Sequence, residues 1–207
     1  MTVTEELMAR RRERVLEAAI SLLEHSPYEA ITIRALAETS GLSAPTLYNH
    51  FASKDEILAE AVTLRFRRIF GEPDAAGRSR GLDRVFRLME GVSTSMAQHR
   101  LYSKNLRKVF RGAKATRLLS EEMTLEFEDA LTAALEEMKA AGQLAAEFDA
   151  RVLAERLTAY ANMNFLDWTI GRLGADAIRR ANIYGCSLML HGAVDAVTAE
   201  TLRARAL

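Results

Sequence analysis

The chain has 207 residues, with 28 Lys and Arg balanced by 28 Asp and Glu, which argues against a charged tail or a general nucleic-acid coat. The single Cys186 excludes an internal disulfide and suits a reducing cytoplasm, and the polar amino terminus does not read as a signal peptide. The longest charge-free run, residues 181–194, has 14 residues, short of the ~20 that span a bilayer, so no membrane role is expected.

The pattern is helical from the start. An amphipathic first helix carries Arg10, Arg11, Arg12 and Arg14 at its amino-terminal end. This run reads equally as a phosphate-contacting arm or as a frayed, solvated tail. Ser26-Pro27 ends the helix. Thr32 is then a good N-cap, with Ile31 and Leu36 spaced as a hydrophobic staple across it. Gly41 tolerates the left-handed conformation that stops a helix. Ser43 restarts the chain as the next N-cap, Leu42 and Leu47 form a second staple, and Pro45 sits in the first turn, where its missing N–H costs little. The third helix is expected at about residues 44–50, roughly 10 Å long. Ser53 and Glu56 form a capping box for a fourth helix, expected over residues 53–70.

Two short helices around a glycine turn make a helix-turn-helix, which points to double-stranded DNA. With Leu47 and Phe51 turned inward, Ala44, Pro45, Thr46, Asn49 and His50 are left outward. That face is small and nearly uncharged, as entry into a major groove requires. Asn49 can contact adenine in bidentate fashion, and Ala44 and the Thr46 methyl can touch a thymine methyl. Thr46, Tyr48 and Lys54 can instead contact phosphates. An ordinary polar helical hairpin is the alternative.

Over residues 14–62 this pattern resembles the DNA-binding domain of the tetracycline-repressor (TetR) family of bacterial transcription regulators. The match rests on Tyr28-Glu29, Thr32, Arg34, Gly41-Leu42-Ser43, Thr46-Leu47-Tyr48, His50-Phe51 and Ser53-Lys54 in order and spacing. Family members often carry a glycine near the end of the first helix, where this chain has Ser26-Pro27. No Lys or Arg lies on the third helix. Residues 1–54 hold six Lys and Arg against seven Asp and Glu, which leaves phosphate contacts to few residues and predicts a shallow salt dependence. The candidate DNA-binding residues are Thr32, Arg34, Ser43, Ala44, Pro45, Thr46, Tyr48, Asn49, His50 and Lys54.

The expected architecture is all-α: an amino-terminal three-helix DNA-binding domain over residues 1–53 and a carboxy-terminal helical bundle over 54–207 for effector binding and dimerisation. Residues 71–81 are rich in glycine and small polar residues and should form a loop. No proline follows Pro73, so long helices are allowed. Val85, Met89, Val92 and Met96 recur at helical spacing, as do Met123, Phe127, Ala130, Ala134 and Met138. Two final helices are expected at about 150–172 and 175–199. In the last of these, the mostly small row Ala177, Ala181, Gly185, Leu188 and Gly192 suits close helix packing, either across a homodimer interface or within the subunit.

The resemblance implies a homodimer that reads an inverted-repeat operator and is released from it by a small molecule held inside the bundle. The expected lining residues are Met89, Met96, Phe110, Met123 and Phe127, with Tyr160, Met163, Asn164, Phe165 and Trp168 from the penultimate helix; each also reads as plain core. Asn164 is the best polar contributor, with a hydrogen bond to a neighbouring helix or across the dimer as its alternative. The basic run Arg100, Lys104, Arg107, Lys108, Arg111 and Lys114 reads mainly as a solvated face balanced by acids such as Glu121, Glu122, Glu126 and Glu128, and less readily as an anion site.

Nothing motivates an enzyme. None of the four histidines follows a glutamate by three residues, and no HExxH, P-loop or GxSxG motif occurs. No metal, cofactor or catalytic residue is expected. An activator, a ligand-independent regulator and a helical adaptor without DNA binding remain as alternatives.

Overall fold

Helix boundaries in the computed structural model follow the capping residues. The structure describes residues 3–71, 79–111 and 114–206. Its elements in chain order are α1 (Val3–His25), α2 (Ile33–Ser40), α3 (Ala44–His50), α4 (Lys54–Gly71), α5 (Leu82–Gln98), α6 (Arg100–Arg111), α7 (Lys114–Ala140), α8 (Ala150–Thr169), α9 (Ala175–His191) and α10 (Ala196–Ala206). A 3-10 turn spans Tyr28–Ala30, and an isolated antiparallel bridge joins Leu144 to Val194. The architecture is all-α with no strand among the described residues. The loop expected at 71–81 falls largely on residues 72–78, outside the described residues.

The chain packs as two compact units. The first comprises Met1–Phe66 and His99–Glu121, and the second Arg67–Gln98 and Glu122–Leu207. The division expected at 53/54 therefore marks the end of the helix-turn-helix, while the unit that houses it is larger. Ile57, Leu58, Ala61 and Val62 give the first half of α4 a buried face, and α6 packs on α1.

In the first unit, Val15, Ala19 and Leu23 of α1 are fully buried, as are Ile31, Leu36, Leu47 and Leu58. The end of α1 lacks the left-handed glycine cap common in helices. A side chain from α6 replaces it: the buried Asn105 amide donates to both Leu23 O and Ser26 O at 2.8 Å. That amide satisfies carbonyls that the helix itself leaves without partners.

In the second unit, α5, α8 and α10 pack on α9. Buried amides bridge three of these helices. Asn164 Nδ2 of α8 donates to Asn182 Oδ1 of α9 at 2.8 Å, and Asn182 Nδ2 donates to Met89 O of α5 at 3.1 Å. The Tyr160 ring lies across Gly185, where a Cβ would fall 2.2 Å from Tyr160 Cε1. Gly185 thus serves packing within its own chain, whereas Leu188 of the same row is exposed.

The helix expected over residues 175–199 is in fact two. The segment between them is diverted to pair with the turn after α7: Ala145 N donates to Ala193 O at 2.9 Å and Asp195 N to Gln143 O at 3.1 Å. Asp195 then caps α10, accepting from Val197 N at 2.9 Å and Thr198 N at 3.1 Å. Those hydrogen bonds hold its carboxyl below the usual carboxylate range, the Thr198 hydroxyl being the strongest contributor.

Two substitutions test this packing by denaturant unfolding. Gly185→Ala forces the Tyr160 ring to move and is expected to lose about 1–3 kcal/mol, as overpacked cores do. Asn105→Ala strips the end of α1 of its amide cap and is expected to lose about 1–3 kcal/mol. Wild-type stability in either variant would contradict the assignment.

Candidate nucleic-acid interface

Local capping sets the geometry of the two short helices. Thr32 Oγ1 accepts from Ala35 N at 3.1 Å and opens α2. Gly41, at φ 65°, closes it in the left-handed conformation, and Leu42 N returns to Ala37 O at 3.0 Å. Ser43 Oγ accepts from Thr46 N at 3.3 Å and lies 2.8 Å from Thr46 Oγ1. Ser53 Oγ accepts from Glu56 N at 3.1 Å, while the Glu56 carboxylate reaches back to Ala52 N at 2.5 Å, one residue before the cap.

Only Leu47 of α3 is buried, joined by its C-cap residue Phe51. Tyr48 is 58% exposed, Asn49 and Pro45 are exposed, and Ala44, Thr46 and His50 are half-buried. Because the Thr46 hydroxyl lies within hydrogen-bonding distance of Ser43, it offers the outside mainly its methyl group. Between α2 and α3 runs an open groove that brings Arg34, Ser43, Ala44 and Tyr48 together with Ile33, Ala37, Glu38, Gly41 and Leu42. Arg34 Nε donates to Glu38 Oε1 at 2.8 Å on this exposed surface, so Arg34 is already partnered there.

The arginine run has a structural function that its sequence does not announce. Arg12 Nη1 donates to His50 O at 2.7 Å, its Nη2 to Glu60 Oε1 at 2.6 Å, and the guanidinium stacks 4.3 Å from the Phe51 ring centroid. Arg14 Nη2 donates to Ser40 O at 2.7 Å. These two cations sit at the carbonyl ends of α3 and α2, where helix dipoles favour positive charge. Arg10 and Arg11 remain exposed. No local motif signalled Arg12, since its partners lie 38 and 48 residues away.

Lys54, the basic candidate at the start of α4, stacks with its Nζ 4.3 Å from the Tyr28 ring centroid. Tyr28 donates its hydroxyl to Asp55 Oδ1 at 3.1 Å. Burial, reinforced by the Asp55 charge, pushes that phenol up to about 12, so it stays a donor at neutral pH. Lys108 of α6 pairs with Glu29 beside the same ring. The hydrogen bond from Lys108 is the main reason the Glu29 carboxyl lies below its usual range.

The residues expected to line an effector site are divided between the two units. Phe110 lies on α6 and belongs to the first unit, whereas the other nine belong to the second. Met89, Met96 and Trp168 are almost wholly buried and Met123 and Phe127 nearly so. Phe165 is half-buried with its ring 5.3 Å from that of Trp168. Tyr160 is half-buried over Gly185, and Met163 is 55% exposed. The Asn164 amide is engaged by Asn182, the neighbouring-helix arrangement weighed for it above. Cys186 is buried and its thiol pushed up to about 12 by that burial, which leaves no thiolate at neutral pH. Among the described residues no group of His, Cys, Asp and Glu is placed to hold a metal ion, and no helix is long and apolar enough to cross a membrane.

Comparison with known proteins agrees with this geometry. Residues 15–61 match the family model of bacterial regulatory proteins, tetR family. The HTH-type transcriptional repressor KstR of Mycolicibacterium smegmatis is 29% identical over 151 residues, covering 72% of this chain and 66% of that protein. KstR of Rhodococcus jostii is 29% identical over 106 residues, covering 51% and 50%. The chain thus spans between half and two thirds of the length of these relatives. Among solved structures, a TetR transcriptional regulator from Rhodococcus sp. RHA1 aligns with a TM-score of 0.64 at 17% identity, covering 88% of this chain and 98% of that one. SmeT, the repressor of a Stenotrophomonas maltophilia multidrug efflux pump, aligns with a TM-score of 0.60 at 20% identity, covering 90% and 92%. At those identities the structural likeness establishes the fold alone. The likeness to bacterial regulatory proteins of the tetR family is carried by residues 15–61, the stretch that holds α2 and α3.

Proposed function

We propose that this chain is a cytoplasmic, homodimeric transcriptional repressor that binds an inverted-repeat operator and leaves it when a small molecule binds. The observation that carries the reading is α3 itself. Its two apolar anchors are buried, its last carbonyl is held by Arg12, and Tyr48 and Asn49 project outward. A rigid, nearly uncharged helix of this size suits a major groove. In this reading Asn49, Ala44 and the Thr46 methyl read bases, with Pro45 and His50 on the same face. Tyr48, Lys54, Thr32, Ser43 and Arg34 hold the backbone and fix register. The repressor assignment draws on the relatives named as repressors. Release by a small molecule draws on the SmeT fold, which has also been solved as a triclosan complex.

A homodimer is supported by an exposed apolar stripe on α8 and α9. Met163 and Leu166 of α8 and its C-cap residue Ile170 follow one another at helical spacing, as do Tyr184 and Leu188 on α9, and each is at least half exposed. Apolar side chains left exposed in numbers on two neighbouring helices suit an association site, and two helices from each subunit make a four-helix interface. A two-fold dimer places two copies of α3 in successive major grooves.

The reading is tested by selecting bound sequences from random duplex DNA with the full-length chain and screening small molecules for release. An inverted repeat is the expected product, and absence of any enriched sequence would overturn the proposal. On the selected operator, Asn49→Ala is expected to relax preference at particular bases by about 1–3 kcal/mol. Tyr48→Ala and Lys54→Ala should instead weaken cognate and scrambled duplexes alike, and equal losses for Asn49→Ala on both would remove it from base reading. Leu166→Asp should convert the dimer to monomer in sedimentation and abolish tight operator binding; an unchanged dimer would move the interface elsewhere.

A further inference from the structure

The outward stripe of α6 is basic. Arg100, Lys104 and Lys108 recur at every fourth position and are exposed, while Tyr102, Asn105, Leu106 and Val109 are buried on the opposite side. Two of the acids expected to balance this run are engaged elsewhere: Glu126 pairs with Arg67 and Glu128 with Arg151.

Charge distribution gives the stripe its meaning. Residues 1–66 carry seven Lys and Arg against ten Asp and Glu, so the helices that present α3 are acidic on their own. His99–Glu121 belongs to the same compact unit and adds seven basic residues against one acid. The inserted segment turns an acidic head into a basic one, as association with a polyanion requires.

Position points the same way. Lys108 Nζ lies 5.8 Å from the Tyr28 ring centroid, and Lys54 Nζ lies 4.3 Å from the same ring. The turn carrying Tyr28 leads directly into Thr32, the cap of α2. The α6 stripe is therefore continuous, through Tyr28, with the surface assigned above to backbone contacts. Asn105 fixes α6 to the end of α1, so the stripe is presented by a helix tied into the head.

We propose that Lys104 and Lys108 of α6 contact backbone phosphates of the duplex flanking each half-site, outside the stretch read by α3. The proposal rests on the DNA-binding reading above and extends its footprint. Glu29 competes for Lys108 in the free protein, and a phosphate replaces that carboxylate on docking. Each new contact releases counterions and steepens the fall of affinity with salt by about 0.9 in log–log slope.

The test uses the full-length chain and the selected operator in two duplexes. One ends at the half-sites and the other carries about ten further base pairs on each side. On the longer duplex Lys104→Ala/Lys108→Ala should flatten the salt slope by about 1.8 per head, on the order of a tenfold smaller loss of affinity between roughly 50 and 200 mM salt for each head. On the shorter duplex the variant and wild type should coincide. Lys104→Ala alone leaves the Lys108–Glu29 pair in place and should account for about half of the effect, while Glu29→Gln should tighten binding to the longer duplex only. Equal slopes for double variant and wild type on the longer duplex, or an equal loss on both duplexes, would overturn the α6 contact while leaving the DNA-binding reading intact. Wild-type protein that binds no duplex at all would instead remove that reading itself.

Discussion

Short helices need something outside themselves to hold them, and in this protein that need is met at their carbonyl ends. A helix of seven residues such as α3 is far below the length at which an isolated helix is stable in water. Its last carbonyls have no partners within the helix. Arg12 supplies one from α1 and ties the same guanidinium to Glu60 of α4 and to the Phe51 ring. Arg14 does the equivalent for α2 through Ser40 O, and Asn105 does it for α1 from α6. The first unit is a set of helix ends held by side chains from distant parts of the chain.

This arrangement explains how α3 manages without charge. The cations that secure it approach from behind, at its carboxy-terminal end and through Phe51, leaving its outward face to Tyr48, Asn49 and small groups. Positive charge for a polyanion then has to come from neighbouring elements. Lys54 begins α4, and the greatest density of Lys and Arg in the first unit falls in His99–Glu121. In the proposed DNA-binding role, separating shape from charge in this way would leave base contacts to groups that hydrogen-bond directionally or touch methyl groups.

The second unit solves a different problem, that of orienting α8 and α9. Dispersion alone is tolerant of small rotations, whereas a buried amide left unpaired costs about 1–3 kcal/mol. Asn164, Asn182 and Met89 O therefore specify one register among α8, α9 and α5, and the contact of Tyr160 with Gly185 permits close approach at one point. Met163, Leu166, Ile170, Tyr184 and Leu188 of the same region are each at least half exposed.

What could be read from the residues alone was what depends on near neighbours along the chain. The caps at Thr32, Ser43 and Ser53, the left-handed Gly41 and the span of α3 all follow from contacts within five residues, where stereochemistry decides the outcome. Tertiary structure decided everything that depends on distant partners. The break between α9 and α10 arises because residues 193–195 pair with the turn after α7, and no local breaker stronger than Gly192 marks it. The placement of α6 in the first unit follows from one amide meeting two carbonyls about eighty residues away. Arg12 looked like any member of a basic run, and only three-dimensional packing revealed that it holds the end of α3. Capping is a short-range competition for hydrogen bonds, legible in a few letters; pairing across the fold depends on where the chain returns, which side-chain periodicity does not encode.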